Sequence, residues 1–390
     1  FSILIHKIIM TCFCFLGIIY ITLGGIRMNI KNLDKSLMKK LGIILGIIIG
    51  AFLVIIIFKL IFGGRISYSQ IENKMIQSAK KYYNDNPEKL PSVDKSIVTI
   101  NASQLTEEKY LKELNKLTKD RSATCTGQVD VINNNGYYLY SPTLNCGETY
   151  QTKKLKDALM KDVVTSSNGL YNYGDYYIYR GEYVNNHVRF AGKDWVILRV
   201  NNDGTIRLLE LTKRNSVVWD DRYNSDREST VGINDYNVSR IKDTMNEIYN
   251  DKEEFSDTDK AYISTQNLCI GRRSSENATG LDGTLECSNT MSGQPLGLIQ
   301  ANEFSIISLD PKCSNIDDME CTNYNYLSNL NTYWTITADA DNTYKVFKNS
   351  GSTFSTTASS TAIPRVVVQI DSHANYLSGT GTEDDPYIIQ

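Results

Sequence analysis

The sequence predicts an α+β protein carried behind a membrane anchor, and three observations lead there. Leu41–Phe58 (LGIILGIIIGAFLVIIIF) is an eighteen-residue run without a charge, preceded by Lys31, Lys35, Lys39 and Lys40. At ~1.5 Å of rise per residue, a helix over residues 41–62 spans the ~30 Å hydrocarbon core, and the stem of Lys59 carries its ammonium out to the headgroups. Beyond residue 65, segments with apolar residues at helical spacing alternate with short β-branched and aromatic runs bounded by turn residues. Six cysteines, Cys125, Cys146, Cys269, Cys287, Cys313 and Cys321, lie in that outer part, an even number suited to a compartment where disulfides persist.

Residues 1–27 hold a second apolar stretch, Ile8–Gly25, ahead of Met28. Two readings stay open: upstream translation before a start at Met28, or an extra transmembrane helix. The basic segment 28–40 is expected in the cytoplasm by the positive-inside bias, which puts the bulk of the chain outside in either case. No small-residue cleavage site follows the apolar run, so a retained signal anchor is expected rather than a removed leader. The expected localisation is therefore the cell membrane, single-pass, or two-pass if residues 1–27 are translated, with the lipid bilayer as first partner.

Residues 66–152 read as a small α+β domain. Ile66, Ile71, Met75, Ala79 and Tyr82 or Tyr83 recur at helical intervals until Asn86-Pro87 stops the pattern. A strand at Ser96–Ile100, a helix at Glu107–Lys116 and two strands, Cys125–Val131 and Gly136–Tyr140, follow. Asn133-Asn134-Asn135-Gly136 between those strands suits a turn of positive φ. Residues 153–174 read as a linker, with a short charged helix (KKLKDALMKDVV) and then TSSNGLYNYGD.

Residues 175–390 read as a larger, β-rich α+β domain. YYIYRG and VRFAGKDWVILRVNNDGTIRLLEL supply strands, with Trp195, Ile197 and Arg199 expected on one face and Val196, Leu198 and Val200 on the other. A helix capped by Asn237 or Ser239 runs through Ile241, Met245 and Ile248-Tyr249, and another is expected at Ser256–Ile263. TYWTIT, TYKVFK and RVVVQI are strand-like, and GTGTEDDPYII is a closing turn and strand. The cysteines fall into three local couples: Cys125 with Cys146, Cys269 with Cys287, and Cys313 with Cys321.

Two resemblances bear on this plan. A membrane helix running into an amphipathic helix that ends in KYYNDNPEKLP, followed by a small cystine-closed sheet, resembles the type IV pilin and pseudopilin arrangement over residues 41–150. The chain departs from it in having Lys39-Lys40-Leu41-Gly42-Ile43 in place of a processing site and no acid inside the apolar segment, so the likeness is one of architecture. Residues 175–390 are similar to uncharacterised bacterial surface domains with a C-type-lectin-like, formylglycine-generating-enzyme-like fold. GKDWVILRVNNDGTIRLL, SRIKDTMNEIYN, EEFSDTDKAYI, YWTIT, PRVVVQI and GTGTEDDPYII carry that likeness in order. It implies a module of an anchored surface protein; the reactive cysteines of the enzyme member are not carried over, since these six are expected to pair.

Composition excludes more chemistry than it supports. Formal net charge is −3 with no basic face, which argues against nucleic acid as a partner. No close Cys pair or clustered His marks a metal site, and no cofactor motif is present. Only His187 and His373 lie outside the membrane-proximal region, and nothing in the sequence couples either to a nucleophile, so no catalytic residue is assigned. Trp219, Asp220, Asp221 and Arg222, with Asp226 and Glu228 nearby, are the candidate ligand contacts, an aromatic platform beside two carboxylates as a sugar ring requires. Adjacent aspartates on an extended segment face opposite ways, which weakens an acid/base pair there. Trp195 and Trp334 are expected core anchors. The leading expectation is a non-enzymatic, membrane-anchored extracellular binding or adhesion protein whose partner is a cell-wall glycan or another surface protein. The alternatives are a structural subunit of a pseudopilus-like or envelope assembly and a carboxylate-dependent hydrolase of wall polymer.

Overall fold

The structure, a computed structural model, describes residues 65–120, 122–274 and 280–389, together with helical residues among 43–51. Among the described residues no helix is long and apolar enough to cross a membrane. The predicted span 41–62 and the segments 1–27 and 28–40 lie for the most part outside the described residues. Residues 66–390 form one compact α+β unit.

Helix α1 (Tyr68–Asp85) starts where Ser67 and Gln70 cap each other reciprocally, and it buries Ile71, Met75, Ala79, Tyr82 and Tyr83, the stripe its spacing predicts. Strand β1 (Ile97–Asn101), helices α2 (Ala102–Glu107) and α3 (Leu114–Leu117), and strands β2 (Thr126–Asn134) and β3 (Tyr137–Asn145) complete the first core. The single helix expected over Glu107–Lys116 is absent. Lys109 takes φ 66°, and Tyr110 and Leu111 both donate their N–H to the Leu105 carbonyl, which ends α2 in a left-handed cap. That reversal lets Leu105, Leu111, Leu114 and Leu117 all reach the core. Between β2 and β3, Asn135 (φ 54°) and Gly136 (φ 88°) form the two-residue turn whose positive dihedrals match strand twist. Cys125–Cys146 ties the open end of that hairpin.

Residues 153–174 are no bare linker. Helix α4 (Leu155–Leu159) buries Leu155 and Leu159 in the second core, and β4 (Gly169–Asn172) pairs with β5 (Tyr176–Arg180). Leu155, Leu159 and Leu170 hold the segment there. Strands β6 (His187–Phe190), β7 (Lys193–Asn201) and β8 (Ile206–Glu210) continue the sheet, followed by β9 (Val217–Val218), α5 (Arg240–Asn250), α6 (Asp257–Tyr262), β10 (Gln266–Cys269), β11 (Arg272–Arg273), β12 (Thr290–Gln294), β13 (Leu296–Gly297) and α7 (Ala301–Ile307). Then come β14 (Tyr333–Asp339), β15 (Lys345–Asn349), β16 (Thr353–Thr357), β17 (Thr361–Ala362), β18 (Val367–Ile370) and β19 (Tyr387–Ile388). The main sheet runs β13-β18-β8-β7-β5-β4, with β6 beside β7 and β19 parallel to β6; β11-β14-β15-β16 forms a second sheet. Ser239 caps α5 and Ser256 caps α6.

One expectation about β7 fails. Ile197 pairs with Leu208 and Arg199 with the next residue back, Arg207, so Leu198 is an extra residue in a β-bulge. Alternation shifts there: Trp195, Ile197 and Val200 share one core, Val196 and Leu198 another. Arg199 is thereby turned to the face opposite Trp195. Trp195, Trp219 and Trp334 are all fully buried. The cystines Cys269–Cys287 and Cys313–Cys321 join local neighbours.

The two cores are not independent. Asn134 at the tip of β2 is fully buried and donates to the Ala261 carbonyl at 2.7 Å and to Asp371 at 3.2 Å. Lys95 donates to the Thr265 carbonyl at 2.9 Å. The first hairpin is therefore seated on α6 and the segment after β18.

Candidate functional site

The residues singled out in sequence split between core and surface. Trp219 is 0 % exposed, donates its indole N–H to the Thr335 carbonyl at 3.1 Å and lies against Tyr236, so no ring face is open to a sugar. Asp220 is also fully buried and accepts from Arg222 Nε at 2.8 Å, Ile233 N at 2.7 Å and Arg240 N at 3.2 Å. Its carboxylate is occupied in closing the loop over the start of α5. Asp221 points the other way, to an exposed pair with Arg240 at 3.2 Å. Backbone alternation separates the two acids: Trp219 and Asp220 are interior, while Asp221, Arg222, Asp226 and Glu228 reach the surface.

A different place brings polar and aromatic groups together. A groove of about 290 Å³ lies between the N-terminal half of α1, strand β3, residues 150–153 and the segment 373–377. Five tyrosines line it, Tyr68, Tyr140, Tyr150, Tyr262 and Tyr376, with Glu72, Lys153, His373 and Asn375 among them. Tyr68 stacks on Tyr150 with ring centroids 4.5 Å apart, a contact made because α1 and the loop after Cys146 enclose the same space. Rigid rings held this way offer contact area at little cost in conformational entropy.

Glu72 forms the polar centre of the α1 wall. It accepts from the Tyr150 hydroxyl at 3.0 Å and from the Thr152 hydroxyl. Burial pushes its carboxyl above the ordinary value, outweighing the two hydroxyls and the pull of Lys154. Lys154 donates to Ser141 Oγ at 2.9 Å, and burial holds its ammonium below the usual lysine value. Across the groove, His373 Nδ1 lies 2.8 Å from Asp371 Oδ1, which also accepts the His373 backbone N–H at 2.8 Å. Burial opposes ionisation of Asp371, but the His373 side chain and backbone donors and Asn134 bring its carboxyl below the ordinary range. With Nδ1 engaged, Nε2 is the ring atom left for the groove. The Asn375 amide donates to the Pro142 carbonyl at 3.0 Å, while its Oδ1 has no partner among the described residues.

Little in the sequence marks this groove. Asp371-Ser372-His373 carried a signal, since an Asp two residues before a His can accept both its backbone and ring N–H groups. The tyrosines carried none, because Tyr68, Tyr150 and Tyr376 are separated by most of the chain. Among the described residues no group of three His, Cys, Asp or Glu side chains could hold a metal ion. Asp318 accepts from Ser314 N and Asn315 N, both at 2.8 Å, within its own turn.

No family model, curated protein or solved structure matches this chain.

A carboxyl whose ionisation is disfavoured in the fold subtracts stability at high pH. Between its unfolded and raised folded values the native state binds the extra proton, so Glu72 makes stability fall as pH rises through that window. Glu72→Gln is accordingly expected to raise the melting temperature at pH 7 by about 1–2 °C. The advantage should shrink toward pH 4 in paired melts. A variant less stable than the parent at both values would show the carboxylate to be a net support.

Proposed function

We propose that the chain is a non-enzymatic surface recognition protein that holds a glycan of the cell envelope in the tyrosine-lined groove. The observation that carries this reading is the groove lining: aromatic faces on opposing walls, with Glu72, Asn375 and His373 set between them. A sugar ring presents apolar C–H faces and a rim of hydroxyls. Tyrosine rings match the first, and a few placed carboxylate, amide and imidazole groups match the second. The likeness of residues 175–390 to C-type-lectin-like surface domains supports a binding role, and the pilin-like plan of residues 41–150 supports display on a membrane-held stalk. Three cystines fit a protein that works outside the cell.

The full chain on an array of glycans and wall fragments is expected to bind a restricted set. Tyr68→Ala is expected to weaken that binding about tenfold, the worth of one stacked ring, with little change in melting temperature because Tyr68 is partly exposed. Blank arrays, or equal binding by the variant, would remove the groove from consideration.

A further inference from the structure

On the face of the main sheet opposite Trp195, strands β4, β5, β7 and β8 set arginines and tyrosines side by side. The Arg180 guanidinium lies 5.2 Å from the Tyr171 ring centre and 5.7 Å from that of Tyr173. Tyr173 stacks on Tyr176 at 5.8 Å and 12° between planes, and Arg199 sits 5.0 Å from the Tyr176 ring. The result is a continuous row in which cation and ring interleave.

Charge in this row does not balance. Glu303 of α7 is 2 % exposed and gives both its oxygens to Arg207, at 2.8 and 3.0 Å, while Oε2 also accepts Gln300 N at 2.9 Å. Arg199 reaches the same carboxylate only at 3.5 Å. Two guanidinium groups thus share one anion, and Arg207 holds the better geometry. Among the described residues the Arg199 side chain donates no hydrogen bond, and the Nε atoms of both Arg199 and Arg180 are buried without a partner. Arg180 satisfies one donor on the Ser308 carbonyl. Asp203 attracts Arg199 more weakly than Glu303 does. Desolvation and the neighbouring Arg207 both disfavour the Arg199 charge, so an arriving anion would relieve an existing cost. The Arg199 side chain is 22 % exposed and Tyr173 38 % exposed, which leaves the surplus cation reachable from solvent.

We propose that Arg199, flanked by Tyr176 and Tyr173 with Arg180 beyond, is a seat for a phosphate group borne by a polymer or free in solution. The planar fork suits its oxygens, and the stacked rings hold it ready. This seat uses none of the groove residues and stands apart from the glycan reading.

Calorimetric titration of the full chain with inorganic phosphate, with poly(glycerol phosphate) and with uncharged dextran tests it. Binding of the phosphate-bearing probes but not of dextran is expected, weakening as salt rises. Preference for the polymer over inorganic phosphate would identify the anion as part of a chain, and equal molar affinity per phosphate would identify a free ion. Arg199→Gln is expected to cost about tenfold in affinity or more, and Arg199→Lys to recover part of it, having charge without the fork. Tyr173→Ala, at the exposed end of the row, guards against misfolding of the arginine variants and is expected to weaken binding while leaving the melting temperature near that of the parent. Absence of heat with both phosphate probes, or affinity unchanged in Arg199→Gln and Tyr173→Ala, would overturn the proposal.

Discussion

Glu303→Ala is expected to destabilise the fold by about 3–5 kcal/mol, because it strands the buried Arg207 and takes the nearest anion from the partly exposed Arg199. Arg207 is 3 % exposed and keeps Gln266 Oε1 at 2.6 Å and the Leu298 carbonyl at 3.2 Å as partners, but neither is charged. The same substitution removes the Glu303 carboxylate from Gln300 N, the reciprocal cap of α7. Glu303→Gln preserves shape and the cap while losing the charge, so it should fall between parent and alanine variant. Burial pushes the Glu303 carboxyl up, yet Arg207 and Arg199 outweigh it and hold the group below its ordinary value. A depressed carboxyl contributes stability that is present above its unfolded value and lost as pH falls through the folded one. In urea melts the gap between parent and Glu303→Gln is therefore expected to narrow from pH 7 toward pH 3. A cost below about 1 kcal/mol for the alanine variant at pH 7 would mean that water already screens the pair, as at an exposed bridge.

Trp219→Ala is expected to cost about 3–5 kcal/mol, the range for emptying a large aromatic from a core. Its ring packs with Tyr236 and meets the Thr335 carbonyl, joining the loop before α5 to strand β14. The experiment also decides between the two roles open to this tryptophan in sequence. A ligand platform would lose binding with its melting temperature intact; a core anchor loses stability first. Asp221→Ala is the control, since its pair with Arg240 is more than half exposed on both sides and such pairs contribute little. Comparable losses from the two substitutions would contradict the placement of Trp219.

Local chemistry carried much of the reading. The helical stripe of α1, the serine caps of α5 and α6 and the Asn135-Gly136 turn depend on contacts within a few residues, which spacing and residue type can specify. Where a short-range rule had a long-range competitor, spacing misled. The segment over Glu107–Lys116 has helical composition, but burying four leucines in one core required a reversal at Lys109. Arg199 follows strict alternation on paper, yet the bulge at Leu198 turns it to the other face of the sheet.

From sequence alone came the α+β class, the local pairing of the cysteines and the position of most strands, because those follow from periodicity and from the short loops that bring near neighbours together. Only the tertiary structure decided that Trp219 and Asp220 are interior, that Leu155, Leu159 and Leu170 belong to a core, and that Tyr68, Glu72, Tyr150, His373 and Tyr376 share one groove. The groove is made by walls far apart along the chain, and its residues bear no spacing relation to one another. Burial, likewise, is set by what else packs against a side chain, and that information resides in the whole fold rather than in any window of it.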